Sequence, residues 1–393
     1  MPPTAVVTRR GAERLRAGHP WIYQSDVAAV EAEAGDVVAV RGERGRPLAW
    51  ALFSDRSQIT LRALAGVPPP AGDAAFDDRA WLAARIRAAG EYRRSLAIDA
   101  NAYRVVHGEA DGLPALVVDR YDDVLVVQAL CQGMDRRLPV IVEALVEVFA
   151  PRGILARNDP RVRGLEGLDQ VVEVVHGEVP DVIEVREAGV RLMASPRHGQ
   201  KTGLFLDQRE NHVAAAAYAR GRALDAFTYN GGFALHLAER CPHVLALDSS
   251  AAAVETTRAN AALNGAANVE VREANVFDEL RELETAHARF DTIVLDPPAF
   301  AKNKASVARA AAGYKEINLR ALKLLAPGGH LVTCSCSYHV DEAMLMEIVT
   351  AAAADARVSV WLVEKRMQAR DHPVLVGVPE THYLKCLILR TLA

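Results

Sequence analysis

From about residue 197 onward, short apolar strands alternate with alanine-rich helical segments, and this alternation constrains the fold most strongly. The predicted strands are ALDAF, VLALD, NVEVREA, DTIVLD and HLVTCS. The predicted helices between them cover residues 210–220, 232–240, 250–264 and 313–326. Repeated strand–helix units indicate a parallel, doubly wound sheet, because parallel neighbours need a crossover that is usually a helix.

Two smaller regions precede this one. Residues 1–70 contain short strands separated by glycine-rich turns, which is typical of a small β-barrel or sandwich. The proline-rich run 68–78 indicates a linker, and residues 75–195 have the pattern of a small α+β domain. We therefore predict an α/β protein with an N-terminal β-barrel, a central α+β domain and a C-terminal Rossmann-like domain over residues 197–393.

Composition excludes several classes of protein. The net charge of −4 means that a large anionic partner would have to meet a local basic patch, not the whole molecule. The five cysteines form no Cys-x-x-Cys pair, so neither a metal site nor a disulfide framework is expected. The N-terminus lacks an apolar signal segment, and no run approaches the roughly 18 apolar residues of a membrane span. We expect a cytoplasmic protein that does not enter a membrane.

Two of the predicted strands end in reactive residues. DTIVLDPPAF ends in Asp296, two prolines and an aromatic residue, and LVTCSCSYH ends in a Cys-Ser-Cys-Ser turn. Ligands of open α/β sheets bind outside the carboxyl ends of the strands, so we expect Asp296 and a thiol to face one cleft. An acid beside a soft nucleophile, next to a flat slot formed by Pro297, Pro298 and Phe300, favours covalent chemistry on a planar base.

A second pattern predicts a cofactor site. The segment DAFTYNGGFALHLA begins at Asp225 as a strand, makes an Asn230-Gly231-Gly232 turn and continues as a helix. Asp248 ends the next strand, where a Rossmann-type fold places the acid that holds ribose hydroxyls. Taken alone, the Asn-Gly-Gly turn could be structural and Asp248 could be a helix cap. The order strand, turn, helix, strand and then Asp248 favours a cofactor site. The glycines do not form G-x-G-x-x-G, which favours S-adenosylmethionine over a dinucleotide.

Over essentially its whole length the chain resembles the RlmI-type class I S-adenosylmethionine-dependent methyltransferases, which make 5-methylcytosine in 23S rRNA. The resemblance rests on GHPWIY, HGQKTGLFLDQREN, DAFTYNGGF, LALDSS, VREANVFDEL, DPPAF, GYKEIN, PGGHLVTCSCS and DHP. It implies a PUA-like RNA-binding domain in residues 1–70, a methyltransferase domain in 197–393, and 23S rRNA, naked or in an assembling large subunit, as substrate. Parts of the family form homodimers, so a homodimer is a further expectation.

The resemblance and the motifs together predict two sets of site residues. The cofactor set is Lys201, Thr202, Gln208, Arg209, Asp225, Phe227, Asn230, Gly231, Asp248, Ser249, Asn275, Val276 and Asp296. The substrate set is Pro297, Pro298, Phe300, Lys302, Lys304, Tyr314 and Lys315. Phe300 is expected to frame a base flipped out of the RNA stack, the alternative being a plug of the core. Lys302, Lys304, Tyr314 and Lys315 are candidates for phosphate contacts, although a solvated charged loop would look similar.

The chain departs from the family's pattern at Asn275, where the family usually has an acid that meets the adenine amino group. The carbonyl oxygen of asparagine still accepts a hydrogen bond, so cofactor binding is expected to survive and to be weaker. Asp278 is a less favoured substitute. Related two-cysteine cytosine methyltransferases carry a second cysteine where this chain has Ala299, so a second thiol cannot release the product at that position.

C5 of cytosine becomes nucleophilic only after a thiolate adds to C6. The motif cysteine of the family falls on Cys336, which with Asp296 forms the predicted catalytic pair. Cys334 lies two residues earlier and is expected to be a buried filler, as free cysteines commonly are. Asp296 or water is the candidate base for the C5 proton.

Three alternatives use the same residues differently. DPPAF also resembles the acid-Pro-Pro-aromatic signature of N-methyltransferases, and methylation of a base nitrogen, such as guanine N7, needs no thiol. An RNA-binding assembly factor without catalysis is disfavoured by the intact turn and by Asp248 and Asp296. An NAD-dependent oxidoreductase is least favoured, because the dinucleotide fingerprint is missing.

Overall fold

The computed structural model describes residues 2–65, 75–301 and 303–392, without the side chain of Lys304. Most of the predicted linker 68–78 lies outside these residues. The chain forms two compact units. The first unit contains residues up to 185, 194–204 and 371–381, and the second contains 186–193, 205–370 and 382 onward.

The first unit begins with a six-stranded mixed sheet. Its elements are β1 (Thr4–Val7), α1 (Arg9–Arg16), β2 (Trp21–Tyr23), β3 (Val27–Glu31), β4 (Val37–Gly42), β5 (Pro47–Phe53) and β6 (Ile59–Ala63). The strand order is β2-β6-β5-β4-β1-β3, and β1 pairs in parallel with β4. Ile22, Val38 and Leu61 are completely buried in the core on one face of this sheet.

The same unit continues with a five-stranded sheet in the order β11-β10-β9-β8-β7. Its elements are α2 (Asp78–Ser95), β7 (Ala102–His107), β8 (Leu116–Tyr121), β9 (Val124–Ala129), α3 (Gln132–Arg136), α4 (Leu138–Phe149), β10 (Gly153–Asn158) and β11 (Val171–Gly177). Trp50 and Leu52 of β5 belong to the same hydrophobic cluster as Trp81 and Leu82 of α2. The first two predicted domains therefore share a core.

The chain passes between the units within a hairpin, and the second unit then carries a seven-stranded sheet. The hairpin is β12 (Ile183–Glu187) and β13 (Val190–Ala194). The remaining elements are α5 (Arg209–Tyr218), β14 (Arg222–Ala226), α6 (Gly232–Ala238), β15 (His243–Asp248), α7 (Ala251–Leu263), β16 (Val269–Glu273), α8 (Val276–Thr285), β17 (Phe290–Leu295), α9 (Val307–Leu324), β18 (Leu325–Ser335), α10 (Glu342–Ala356), β19 (Val360–Met367) and β20 (Lys385–Thr391). Short 3-10 helices lie at Gln24–Asp26, Gly108–Asp111, Arg161–Glu166, Leu206–Gln208, Lys304–Ser306 and Pro379–Thr381.

The order of the large sheet is β16-β15-β14-β17-β18-β20-β19. The five predicted strands are present and parallel, but the prediction of an entirely parallel sheet was incomplete. β20 pairs antiparallel with both β18 and β19, and α8 and α10 were not predicted. An antiparallel strand needs no crossover helix, and no α-helix lies between β19 and β20, so β20 lacks the strand–helix alternation that identified the others.

Helices α7 and α10 of the second unit begin at side chains that cap them. The Ser250 hydroxyl accepts a hydrogen bond from the amide of Ala253 at the start of α7. Asp341 does the same for Met344 at the start of α10, at 2.8 Å. Alanine has the highest helix propensity, so the sequence that follows each cap favours a helix. Among the helices of the described ranges, none is long and apolar enough to cross a membrane.

The direction of the chain reverses between β14 and β17. From β14 the chain proceeds outward to β15 and β16, and it then returns to place β17 on the other side of β14. Ala226 at the end of β14 is paired with Leu295 at the end of β17. This is a topological switch point, where open α/β sheets bind their ligands.

A buried ion pair predicts how sensitive the first unit is to mutation. Arg62 of β6 donates to Glu166 at 2.7 Å, and both side chains are withdrawn from solvent. Arg62→Ala would leave Glu166 as an uncompensated buried charge, so we expect a loss of about 3–5 kcal/mol in the free energy of unfolding by urea. Arg87→Ala, which breaks the exposed pair with Glu147, is the control and should leave the transition nearly unchanged. Equal effects would contradict this prediction.

Candidate active site

The turn after β14 has a strained backbone. Phe227, Tyr229 and Gly231 all adopt positive φ angles, of 67°, 51° and 86°. Only glycine takes this conformation readily, and a non-glycine residue held there costs on the order of 1–3 kcal/mol. Such strain persists where the surrounding structure fixes it, which is common at ligand sites.

Asp225 fixes the start of this turn from beneath. Its Oδ2 accepts hydrogen bonds from the Thr228 hydroxyl at 2.6 Å and from the Ala234 amide of α6 at 2.9 Å. Its Oδ1 is buried and has no hydrogen-bond partner among the described residues. One carboxylate oxygen therefore holds the turn, and the other remains available to a ligand.

Asp248 and α7 fix the far side of the turn. The Asp248 carboxylate accepts from the Tyr229 amide at 2.9 Å, and Asn260 donates to the carbonyl of Asn230 at 2.8 Å. Asn230 and Gly231 are buried, whereas Ser249 is exposed at the start of the next loop. Each carboxylate oxygen accepts two hydrogen bonds, so Asp248 retains capacity for the predicted ribose hydroxyls.

A buried ion pair lies under the glycines. His212 of α5 bonds Glu187 at 2.6 Å, and His236 lies 3.6 Å from the same carboxylate. Burial lowers the pKa of His212, but Glu187 outweighs this effect and the net shift is upward. Potential metal-ligating atoms of the three residues lie within 4.8 Å of one another, and the direct hydrogen bond accounts for this as an ion pair. A Cβ on Gly232 would lie only 2.6 Å from the His212 ring.

An acidic cluster lies beside the turn at the end of β17. Burial, and then the charge of Asp207, raise the pKa of Asp296 to about 7. Burial raises the pKa of Asp225 to about 6. Gln208 donates to Asp296 at 2.8 Å, which orients the carboxyl without neutralising its charge. Three neighbouring acids whose repulsion raises the pKa of one member form a site suited to a cationic ligand.

The thiol predicted for this cleft lies against the same strand end. Cys336, just after β18, is partly exposed, and its Sγ is 4.0 Å from the carbonyl oxygen of Pro297. Cys334 is completely buried opposite Cys386 of β20. The hydrogen bond to Cys386, together with burial, raises the pKa of Cys334 well above its ordinary value. The two strand ends lie side by side as expected, and the environment of Cys334 disfavours a thiolate.

The structure corrects the expectation for Tyr314. This side chain is completely buried in α9, and its hydroxyl bonds those of Ser335 and Ser337 at 3.0 Å each. It supports the turn that carries Cys336 and does not contact phosphate, because its helix faces the core there. Lys315 points to α10, where it forms an ion pair with Asp355 at 2.7 Å. Lys302 and the side chain of Lys304 lie outside the described residues.

Phe300 packs within a group of aromatic rings. Its ring centroid is 4.7 Å from that of Tyr314, 5.9 Å from that of Phe277 and 6.4 Å from that of Phe227. Phe300 remains partly exposed, so it forms the edge of this group. Pro297 is buried and Pro298 is exposed. The prediction that these residues frame a base stays open.

The other predicted cofactor residues fall in both units. Lys201 and Thr202 belong to the first unit, where the Thr202 hydroxyl donates to Asp119 at 2.5 Å. Arg209 is buried in the second unit at the start of α5.

Asn275 is exposed and caps α8, accepting from the Phe277 amide at 3.0 Å, and Val276 beside it is buried. The predicted adenine contact therefore sits at a helix cap.

Sequence reasoning missed four residues that shape the site: Asp207, Thr228, His212 and Lys385. Asp207 and Thr228 lie in motifs that were recognised and His212 directly follows one, and only the folded chain brings these three near Asp225 and Asp296. Lys385 could have been noticed in the sequence, because it is a charged residue at the start of the apolar strand KCLILRT. Charged residues are rarely buried without a partner, so this position called for an explanation.

Comparisons with known proteins agree with this geometry. Residues 5–65 match the PUA-like domain family, and residues 112–390 match the S-adenosylmethionine-dependent methyltransferase family. The chain belongs to the S-adenosylmethionine-dependent methyltransferases. A relative of this methyltransferase from Shewanella denitrificans is 39% identical over 391 residues, covering 97% of each chain. Another from Vibrio cholerae is 37% identical over 397 residues, covering 98% of each. Both are named ribosomal RNA large subunit methyltransferase I.

Solved structures show the same fold. A methyltransferase-like protein designated SMU.776, complexed with SAH, superposes with a TM-score of 0.84 at 18% identity, covering 98% of this chain and 99% of that one. A protein from Streptococcus mutans described as S-adenosylmethionine-dependent gives a TM-score of 0.82 over the same shares, also at 18% identity. The likeness in fold to these two structures therefore extends over nearly the whole chain.

The acidic cluster fits the cofactor of this family. S-adenosylmethionine carries an ammonium and a sulfonium. Oδ1 of Asp225 has no hydrogen-bond partner among the described residues, and the carboxyl of Asp296 accepts from the neutral amide of Gln208. A cation brought to these acids favours their ionised forms.

We expect S-adenosylmethionine to bind more tightly as pH rises from 6 to 8. At pH 6 a carboxyl with a pKa of about 7 is mostly protonated, and a cationic ligand must displace that proton. The dissociation constant should fall about tenfold over this range, with proton release near pH 7. Calorimetry in two buffers of different ionisation enthalpy measures both effects. Asp296→Asn is the control and should remove the proton release, whereas affinity independent of pH in the wild type would refute the idea.

Gly232→Ala should weaken the binding of S-adenosylmethionine. The added Cβ would meet the His212 ring at 2.6 Å and shift the turn, and such overpacking costs about 1–3 kcal/mol. Calorimetry should therefore show a dissociation constant raised at least about fivefold. Gly164→Ala is the matched control, because a Cβ there meets nothing within 4 Å. Unchanged affinity in Gly232→Ala would show that the turn does not depend on this close approach.

Proposed function

We propose that the chain transfers a methyl group from S-adenosylmethionine to C5 of a cytosine in 23S rRNA through a covalent adduct with Cys336. The observation that carries this proposal is the contact between Cys336 and Pro297, which brings a partly exposed thiol beside Asp296. The curated relatives support the substrate, since they are named as methyltransferases of large-subunit ribosomal RNA.

The first step makes the base nucleophilic. The Cys336 thiolate forms a bond to C6, and the electron pair of the C5–C6 double bond moves through C4 toward N3. N3 then needs a proton or a hydrogen bond. Solvent can supply the proton, and the Asp296 carboxylate, ionised beside the bound cofactor, can accept a hydrogen bond from the N4 amino group of the base.

The second step restores the aromatic ring. When bound, S-adenosylmethionine would supply the electrophilic methyl group for C5, with its S–CH3 bond breaking and S-adenosylhomocysteine as the leaving group. A base then removes the C5 proton, the electron pair re-forms the C5–C6 double bond, and the thiolate of Cys336 leaves. The Asp296 carboxylate or a water molecule takes this proton, and the proton on N3 returns to solvent. Ala299 offers no second thiol for the release.

Methylation of a base nitrogen is the alternative, and it is not favoured. An acid followed by Pro-Pro-aromatic would hold an amino group, and the reaction would need no thiol. It would leave unexplained why the partly exposed cysteine lies at the mouth of the site and the buried one behind it.

We also infer the setting in which the enzyme works. It acts on rRNA, naked or in an assembling large subunit, in the cytoplasm. A homodimer is consistent with β19, which is the edge strand of the large sheet and exposes Trp361, Leu362 and Val363. Exposed apolar edge strands favour pairing with another chain.

The proposal is tested by incubating the protein with rRNA and methyl-labelled S-adenosylmethionine, digesting the RNA and identifying the labelled nucleoside by mass spectrometry. We expect label in 5-methylcytidine. Cys336→Ala should abolish it, at least about a thousandfold below wild type, because without the adduct C5 is not a nucleophile. Cys334→Ala is the matched control and should retain most of the activity.

Two results would overturn the proposal. Label in 7-methylguanosine or in an N-methylated base would assign the site to nitrogen chemistry. Near-wild-type turnover by Cys336→Ala would exclude the covalent route.

A further inference from the structure

Lys385 is a buried cation next to the strand end that carries the thiol. It begins β20 and pairs with Ser335, the residue that precedes Cys336. Only 3% of its surface is exposed. A lysine is rarely buried to this extent unless a partner compensates its charge.

Two carbonyl groups fix the position of the ammonium. Nζ of Lys385 donates to the carbonyl oxygens of Ser337 and Tyr383, each at 2.8 Å. Ser337 follows Cys336 directly, so Ser335 and Ser337 on both sides of the cysteine contact this lysine through the backbone. Carbonyl oxygens satisfy hydrogen bonds but carry no net charge, and the positive charge still lacks a full counterion.

Two neighbouring groups act on the charge of Lys385. Burial lowers the pKa of Lys385 to about 8, whereas Cys336 and Asp341 favour its charged form. Asp341 caps α10 through the Met344 amide. Burial raises the pKa of Tyr314, which also acts on the cysteine, so its phenol stays neutral. Lys385 is a buried cation that acts on Cys336, and its charge favours the thiolate form of that residue.

We propose that Lys385 is a positioning residue that holds Cys336 as a thiolate ready to attack the base, an inference that rests on the proposed function. A neighbouring lysine is one of the recognised ways in which proteins activate a cysteine. The thiol proton goes to solvent, and at pH 7 the ammonium, with a pKa of about 8, is mostly protonated. Neither the ammonium nor the two carbonyl groups bond to the substrate.

The test measures the thiol itself and uses neither RNA nor cofactor. The full-length protein is treated with iodoacetamide between pH 6 and 10, and mass spectrometry follows the rate of alkylation of Cys336. In Lys385→Gln, an amide replaces the charge and still donates to a carbonyl. We expect the midpoint of the alkylation profile to rise by at least about one pH unit, with about tenfold slower alkylation at pH 7.

Two matched variants distinguish the loss of the positive charge at position 385 from a general disturbance of the structure. Lys385→Arg keeps a cation and should retain most of the wild-type profile. Lys365→Gln removes an exposed lysine of β19 that pairs with Glu342, and it should change nothing. A thermal unfolding curve for each variant shows that it is folded. A folded Lys385→Gln protein with the wild-type midpoint would overturn the proposal.

The wild-type profile decides the matter even where Lys385→Gln does not fold. A Cys336 midpoint clearly below the ordinary thiol value of about 8.5 supports the proposal, and a midpoint at or above it overturns the proposal. Failure of the proposed function gives a different result. A low midpoint that depends on Lys385, together with label in another nucleoside, would contradict cytosine methylation and leave the lysine–thiolate pair standing.

Discussion

The parallel pairing of β14 with β17 is the constraint on which the rest of the second unit depends. Because Ala226 and Leu295 are paired, the strained turn that begins at Phe227 and the acid Asp296 emerge at the same edge of the sheet. The next pairing, of β17 with β18, adds Cys336 to this edge. The predicted cofactor site and the predicted nucleophile thus come from three neighbouring strands, and none of them requires a long loop.

The site combines several features that oppose stability. A turn with two non-glycine residues at positive φ, a cluster of three acids and a buried lysine each cost free energy in the folded chain. Their neighbours offset these costs: Asp225 and Asp248 bond the turn, and two carbonyl groups hold Lys385. Natural proteins break local rules of stability mainly where a ligand or a reaction needs the exception.

The sequence predicted the parallel strands, the turn and the two reactive strand ends, because each depends on local periodicity and on the rule that ligands bind at carboxyl strand ends. It did not predict the antiparallel pairing of β20, which has no crossover helix to mark it. Tyr314 was misjudged, since a tyrosine next to a lysine in a charged segment gives no sign of which face of α9 is buried. Asp207 and Lys385 were missed because their importance arises from neighbours that are distant in sequence.

The position of β20 has a consequence for how the sheet is assembled. This strand lies between β18 and β19, yet it follows both of them in the chain. Until residues 385–391 have been synthesised, β19 has no strand to join, and the sheet ends at β18 with an open edge. A truncation that removes β20 would therefore take away an interior strand, not a dispensable tail. Strands β14 to β18 can be in place before Lys385 reaches its position opposite Ser335, so this edge of the sheet is completed last.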